Sequence, residues 1–511
     1  MGGAEPMASI IPLDAPIVVG SGVAGLSVAL GLGRAYVITA KEMGSSWWAQ
    51  GGIAAALASD DSPQAHAADT VAMADGLAVD AAVEALTLGG PEAISRLIAL
   101  GVDLDRDDDG VLLLGGEEGH GADRVVHADG DATGAEVMRS LNEAVTATED
   151  IEVLEGRIVD LARNPERVVG VVIAEGKQRV IYTAPAVILA TGGAATLYSH
   201  TTNPPGVTGE GIMIASRAGA RLADLEFFQF HPTALDAGKD PMPLLPDSLR
   251  AEGAKLVDAS GRRFMDQHHP LAENAPRDVV ARAIFLQHDR GSSAYLDTRS
   301  VVNFHDRFPT VTAHAMSVGL DPNENLLPVS PAAHYYMGGI DADTMGRTSV
   351  PGLWAVGECS STGVHGANRL PFNSLLEGLV FGARVAHDVA SQPWPGGPGK
   401  IEVPPEALDM PVVAGPAIDE LRQLMWDRAG LIRTGDGLWQ ARSSLIDMEP
   451  VLGRTIAGRN TADLALLVVM AALRRSESRG GHLRADYPDT DPKQAMRSLV
   501  VPGAVPTVAV G

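Results

Sequence analysis

Apolar positions along the chain fall into short unbroken runs alternating with longer stretches of helical period. Ile17, Val18 and Val19 form the first run, which passes into Gly20-x-Gly22-x-x-Gly25 and then an apolar stretch from Val23 to about Leu32. The run has the length of a buried strand and the stretch that of a helix. A second strand, 36–40, follows at βαβ spacing. Residues 69–98 are mostly helical in pattern, 168–173 and 178–182 read as a small β-meander, and 186–190 as a buried strand ending in Thr191-Gly192-Gly193. From 225 to 340 the segment is richer in Pro, Arg, His and Phe, which predicts a domain inserted into the first. An apolar strand returns at 352–357, with a helix over 374–389. Residues 391–416 carry seven prolines and read as a linker, and 417–480 have helical periodicity with many arginines. Residues 1–15 read as a loose leader, and the tail after Gly480 has little pattern. The expected fold is a Rossmann-like α/β domain over 1–224 and 341–390, an inserted α+β domain over 225–340, a linker, and a helical domain over 417–511.

The glycine turn adds the first chemistry. Gly20 makes the tight turn, Gly22 lets backbone approach a pyrophosphate, and Gly25 permits close helix–strand packing. The helix N-terminus supplies free N–H groups to phosphates. The motif alone is weak, but between a strand and a helix it predicts a dinucleotide. Composition is that of an ordinary soluble protein, 45% hydrophobic and 20% charged. The sequence shows no run of membrane-spanning length and no signal-peptide pattern at its start, so a cytoplasmic protein without a membrane partner is expected. The single cysteine, Cys359, excludes an intrachain disulfide and a Cys-ligated iron–sulfur cluster within the chain. It reads as a packing residue. The net charge of −25 argues against nucleic acid. It also repels small anions, so an anionic substrate needs a local basic pocket. There is no HExxH and no Cys/His cluster, so no metal site is expected.

Seven segments, in order, carry a resemblance: GSGVAGL (20–26), AQGG (49–52), ATGG (190–193), QFHPT (229–233), PRDVVARAI (276–284), PAAHYYMGG (331–339) and GECSSTGVHGANRLPFNSLLE (357–377). Together they resemble the flavoprotein family of succinate dehydrogenase, fumarate reductase and L-aspartate oxidase, most nearly its aspartate-oxidising members. The resemblance covers about 17–389 and implies an FAD-binding domain with an inserted capping domain that closes over substrate. It implies FAD as cofactor, contacted by Gly20, Ser21, Gly22, Val23, Ala24, Gly25, Lys41, Ser45, Ser46, Trp47, Trp48, Ala49, Gln50, Gly51, Gly52, Ile53, Thr191, Gly192, Gly193, Glu210, Glu358, Asn373, Ser374 and Leu375. The elongated cofactor needs backbone donors at its pyrophosphate and side-chain-poor backbone at its ring, which the glycine-rich segments supply. The Trp47-Trp48 pair either shields the flavin or packs. Where the covalently flavinylated members have histidine this chain has Ser45, which implies non-covalent FAD.

The implied substrate site is His231, Thr233, Asp247, Arg277, His334 and Arg369, with Glu117. Arg369 can grip a carboxylate through two parallel N–H bonds, and the histidines can add donors. Arg277 is the residue the resemblance assigns as proton donor or acceptor. A guanidinium is a poor base at neutral pH, so in oxidation of an amine its role would be electrostatic. Aspartate differs from succinate by one ammonium, and a carboxylate of GGEEGH (115–120) would accept it; Glu117 fits the family's register, with Glu118 its alternative. Pro246-Asp247 departs from the family's Thr-Glu: Asp247 replaces glutamate with a shorter reach, and Ser248 is the nearest hydroxyl. His268, His269 and His314 have no motif context and read as structural or surface residues. The arginines of 422–484 form either a solvated face or inter-domain ion pairs, with a partner contact as the other possibility. The activity implied is FAD-dependent oxidation of L-aspartate to iminoaspartate, with reoxidation by O2 or fumarate, in NAD biosynthesis through quinolinate; pathway logic adds quinolinate synthase as a partner. The alternatives are a soluble fumarate reductase or succinate dehydrogenase flavoprotein, and a non-catalytic flavin-binding module.

Overall fold

A computed structural model describes residues 8–40, 42–176, 178–393, 396–412, 415–501, 503 and 508–510. A five-stranded parallel sheet is built around Ile17–Val19. Its order is Leu353–Ala355, Val187–Leu189, Ile17–Val19, Ala35–Thr39, Ile151–Glu155, with Ile17 opposite Tyr36 and Val187. All three residues of Ile17–Val19 are buried, as a parallel strand covered on both faces requires. The helices Val23–Leu32 and Asn373–Ser391 cover one face and run closely side by side. Their seam is made of small residues: a Cβ on Gly378 would lie 2.7 Å from Val23 Cγ1, and one on Gly382 2.7 Å from Ser27 Cβ.

A six-stranded sheet lies beside the first, in the order Ser9–Pro12, Gln178–Thr183, Val168–Glu175, Arg157–Arg163, Ile401–Val403, Val508–Val510. It revises three expectations. Residues 9–12, read as leader, pair in parallel with 180–183. The proline-rich 391–416 segment is no simple linker: it contributes the strand Ile401–Val403 and the short helix Glu406–Asp409. The meander is part of this larger sheet.

Between 228 and 336 the chain builds a separate antiparallel sheet with its own apolar core, in the order Phe228–Leu235, Leu327–Tyr336, Ala294–Asp297, Lys255–Asp258. Two irregularities interrupt the pairing of Phe228–Leu235 with Leu327–Tyr336. Gln229 opposes Tyr335 and Phe230 opposes Ala333, so His334 is an extra residue between them. A second shift falls between His231 and Ala234, around Pro232, which has no N–H for the ladder.

The helices Ala417–Ala429, Gly435–Leu452 and Ile456–Arg474 form a bundle, with Thr434 and Thr455 capping the second and third. Ile456–Arg474 is long and apolar enough to cross a membrane by length and composition, but it is 61% buried within the fold and packs on its neighbours. Four arginines after 430 belong to no solvated face, while Arg454 and Arg474 are exposed. Arg433, Arg475, Arg479 and Arg484 are buried, and Arg475 joins Glu226, at the base of the inserted sheet, to Glu477 at 2.5 and 2.8 Å. The tail after Gly480 supplies the strand Leu499–Val500, paired with Leu222–Ala223.

Candidate active site

The C-terminal ends of the parallel strands, the inserted sheet and the 45–52 turn enclose one cavity of about 750 Å³. That lies within the range of small-molecule sites, and its position is where open α/β sheets bind ligands. Its floor is the glycine turn. Gly20 has φ +114, and a Cβ there would lie 2.1 Å from Ala190 O, so only glycine fits. A Cβ on Gly25 would lie 1.9 Å from Gly20 O, which closes the helix onto the turn. Val23 N–H, at the helix start, donates to Ser46 Oγ at 3.1 Å.

Of the expected cofactor contacts, Gly20–Ala24, Ser45–Gly52, Thr191, Gly192, Glu210, Glu358, Ser374 and Leu375 line this cavity. Trp47 both lines it and packs on the core, while Trp48 lines it and is 40% exposed. Four expected contacts lie behind the wall. Gly25 and Ile53 are packing positions, and Gly193 gives room to the Glu358 carboxylate. Asn373 Nδ2 donates to Thr70 Oγ at 3.1 Å and Asn373 Oδ1 meets His66 Nε2 at 2.8 Å, tying the helix start down instead. Lys41 lies outside the described residues.

Three observations fit FAD. The Gln50 Oε1 and Glu210 Oε1 atoms are buried on cavity-lining residues without a partner among the described residues. The helices Val23–Leu32, Glu210–Arg217 and Asn373–Ser391 begin at residues that line the cavity or adjoin its lining. Phe372 holds φ +66 at the last of these, its ring against Gly51. Such a conformation in a bulky residue is strained and concentrates at functional sites. Ser45 Oγ donates to Asn203 Oδ1 at 2.9 Å, and it offers no imidazole for a flavin bond.

At the end formed by the inserted sheet, the cavity gathers His231, Asp247, Arg277, His334 and Arg369. These come from five separate segments of the chain, and the bulges place the two histidines, with ring centroids 5.2 Å apart. Arg277 Nε donates to Asp247 Oδ2 at 2.5 Å. Burial opposes charge on Asp247, but the guanidiniums of Arg277 and Arg250 hold its carboxyl well below the usual carboxylate range. The shorter aspartate thus still reaches Arg277. Arg250, absent from the expected set, is fully buried and joins Asp247 at 2.8 Å to Glu118 at 3.0 Å.

Burial pushes His231 down to about 4, and its Nδ1 accepts from Thr233 N at 3.2 Å. It is therefore a neutral ring with its proton on Nε2, which lies 3.2 Å from Asp247 Oδ1. Burial also drives His334 well below its ordinary value; its Nδ1 meets Thr202 Oγ at 2.9 Å, leaving Nε2 for the cavity. Arg369 is buried over the Tyr335 ring, 4.6 Å from its centroid, and pairs with no carboxylate among the described residues. Its Nε is without a partner there.

Two expected substrate residues are not on the cavity wall. The Thr233 hydroxyl donates to Leu245 O at 2.8 Å, so it serves the inserted sheet. Glu117 is buried within electrostatic reach of Asp247 and Arg277, with Oε2 unpartnered, while Glu118 is held by Arg250. Two other residues had no place in the expected set. His314, read as structural, lines the cavity, and Gln229, inside the quoted QFHPT, contacts both Arg277 and Arg369. An amide beside the motif histidine was the available signal for Gln229; nothing local marked His314.

The FAD binding domain family model matches residues 16–375, and the fumarate reductase flavoprotein C-terminal model matches 448–506. L-aspartate oxidase of Caulobacter vibrioides is 45% identical, covering 97% of this chain and 98% of its own length. The enzyme of that name from Mycobacterium tuberculosis is 42% identical, covering 96% and 95%. Among solved structures, E. coli quinol fumarate reductase FrdA superposes with a TM-score of 0.89 at 27% identity, covering 98% of this chain and 97% of that one. Mycobacterium smegmatis Sdh1 does so at 0.83 and 29%, covering 98% and 94%. A family model spanning most of the chain and full-length relatives at these identities agree with the cavity: this chain belongs to the L-aspartate oxidase family of FAD-binding flavoproteins.

Proposed function

We propose that this chain oxidises L-aspartate to iminoaspartate, with fumarate or O2 taking the electrons. The observation that carries the reading is one continuous cavity joining the glycine turn to Arg369, a buried guanidinium that pairs with no carboxylate among the described residues. FAD, when bound, supplies the two-electron acceptor for the hydride that leaves Cα. Gly20–Ala24, Ser45–Gly52, Glu210, Glu358, Ser374 and Leu375 would hold it without a covalent bond.

Arg369 binds one substrate carboxylate in a two-pronged grip, and the Nε2 groups of His231 and His334 add donors. Both rings are neutral, so they orient the substrate without adding charge. Arg277 lines the cavity, oriented by its ion pair with Asp247. In oxidation of aspartate it acts electrostatically; in reduction of fumarate it delivers the proton. Glu117, buried behind the cavity wall within electrostatic reach of Asp247 and Arg277, is the carboxylate that favours the ammonium distinguishing aspartate from succinate. The 228–336 sheet closes over the substrate and excludes water, and orientation of this kind supplies several kcal/mol of a barrier. Iminoaspartate hydrolyses in water, so direct hand-over to quinolinate synthase follows from the chemistry of the product.

Anaerobic mixing of the FAD-loaded protein with L-aspartate, and separately with succinate, tests the reading. Bleaching of the flavin absorbance by aspartate is expected. Bleaching by succinate alone would replace the proposal with a fumarate reductase or succinate dehydrogenase flavoprotein. Bleaching by neither would leave a flavin-binding module.

A further inference from the structure

Two buried guanidiniums share one uncharged oxygen. Gln229 Oε1 accepts from Arg277 Nη1 at 2.8 Å and from Arg369 Nη2 at 2.9 Å. Its Nε2 donates to Asn368 Oδ1 at 3.0 Å and to Arg369 O at 2.8 Å. The amide is fully satisfied, and its orientation is dictated: both partners on the nitrogen side are carbonyl oxygens, and both on the oxygen side are N–H donors. Gln229 is itself buried, on the last residue pair before the bulge that carries His334.

The two cations differ in what else they meet. Arg277 is paired with Asp247. Among the described residues Arg369 meets uncharged groups alone at close range: Gln229, Ser374 Oγ and Leu370 O at 3.5 Å, and the Tyr335 ring. A carboxylate at position 229 would relieve the repulsion between the two guanidiniums. It would also cancel the charge that a substrate carboxylate has to meet. An amide dipole gives the same geometry and leaves that charge in place.

We propose that Gln229 is a positioning residue which sets the spacing and plane of Arg277 and Arg369 through one neutral acceptor, keeping the Arg369 charge available to a substrate carboxylate. This rests on the reading of the site as one for dicarboxylates. The charged and titratable groups that face Arg369 are Arg277, Asp247, His334, Tyr335 and Glu358. Burial, and then Arg277, bring Arg369 down to about 9. The cation is the binding form, so carboxylate binding is complete below that value and falls off above it. A glutamate at 229 would raise Arg369 and move this limb to higher pH, while competing with the substrate for the same guanidinium.

The test compares FAD-loaded wild type, Gln229→Glu and Gln229→Met. Flavin content and thermal midpoint are measured first, then flavin reduction by L-aspartate from about pH 6 to about pH 10. Gln229→Glu is expected to raise KM about tenfold and to shift the alkaline limb upward by about one pH unit. Gln229→Met, which keeps the charge but loses the shared acceptor, is expected to lower kcat about tenfold with no upward shift. Equal effects of the two variants on KM, kcat and the limb would reduce Gln229 to a packing residue and overturn the proposal. If Gln229→Glu fails to take up FAD, Gln229→Met decides alone, and wild-type kcat and KM would overturn it. If aspartate does not reduce wild-type protein, the functional reading fails separately. Succinate binding, followed by its perturbation of the flavin spectrum, then reads the same limb without turnover: an upward shift in Gln229→Glu upholds the proposal and an unmoved limb overturns it.

Discussion

Glu117 is a carboxylate that the fold removes from water without giving its Oε2 a hydrogen-bond donor among the described residues; His127 Nε2 lies 3.8 Å from its Oε1. Burial, reinforced by Asp247, pushes it up to about 8. Below that value it is mostly protonated, and above it the anion that an ammonium needs is present. The kcat/KM for L-aspartate is therefore expected to rise with pH through about 8, and stopped-flow flavin reduction measures it. Glu117→Gln should remove this rise and slow aspartate oxidation about a hundredfold, with a smaller loss in fumarate reduction. A pH rise that survives in the variant would place the selector elsewhere. Which glutamate is free was not legible in GGEEGH. The choice was made by Arg250, 132 residues from Glu118 along the chain, whose guanidinium holds Glu118. Thr233 was misjudged for a similar reason, because its hydroxyl is taken by Leu245 O.

At the scale of elements, two devices shape the cavity. The seam between Val23–Leu32 and Asn373–Ser391 brings the starts of both helices to it. Gly382→Val inserts side-chain atoms where Ser27 Cβ already stands 2.7 Å from a bare Cβ. It should cost about 1–3 kcal/mol and reduce flavin retention, read by thermal midpoint and by absorbance after gel filtration. The second device is a cap across two parts of the fold. The Asp131 carboxylate accepts from Thr310 N at 3.0 Å and Val311 N at 3.1 Å, so a residue of the flavin-side layer caps the helix Pro309–Met316 of the inserted segment. Asp131→Ala should cost about 1 kcal/mol and raise KM for aspartate with flavin content unchanged. Unaltered hydrogen exchange over 309–316 would remove its basis. The glycine-turn strand and helix were legible because their signals are local. Ile401–Val403 was not, since three residues among prolines become a strand only beside Arg157–Arg163 and Val508–Val510.

Across the whole molecule, buried charge ties the C-terminal bundle to the base of the inserted sheet. Glu226 accepts from Arg475 Nε at 2.5 Å and from the Ser498 hydroxyl, and Arg433 Nη1 donates to Glu226 O at 2.7 Å. Breaking such a pair from one side leaves an uncompensated charge. Arg475→Met should destabilise the protein by about 3–5 kcal/mol by denaturant titration, and adding Glu226→Gln should recover part of that. Additive losses would mean that the two groups act independently. The chain by itself pointed to most of the lining at the glycine-turn end of the cavity and to the candidate cations, because a glycine turn after a strand and histidines within motifs are written in contiguous residues. Only the tertiary structure decided which charges are spent on each other and which are left over: Arg277 and Arg250 on Asp247, Glu118 on Arg250, Arg369 on no carboxylate among the described residues. The physical reason is that a buried charge is defined by its neighbours, and these neighbours are brought together by sheet bulges and helix packing from positions as far as 140 residues apart.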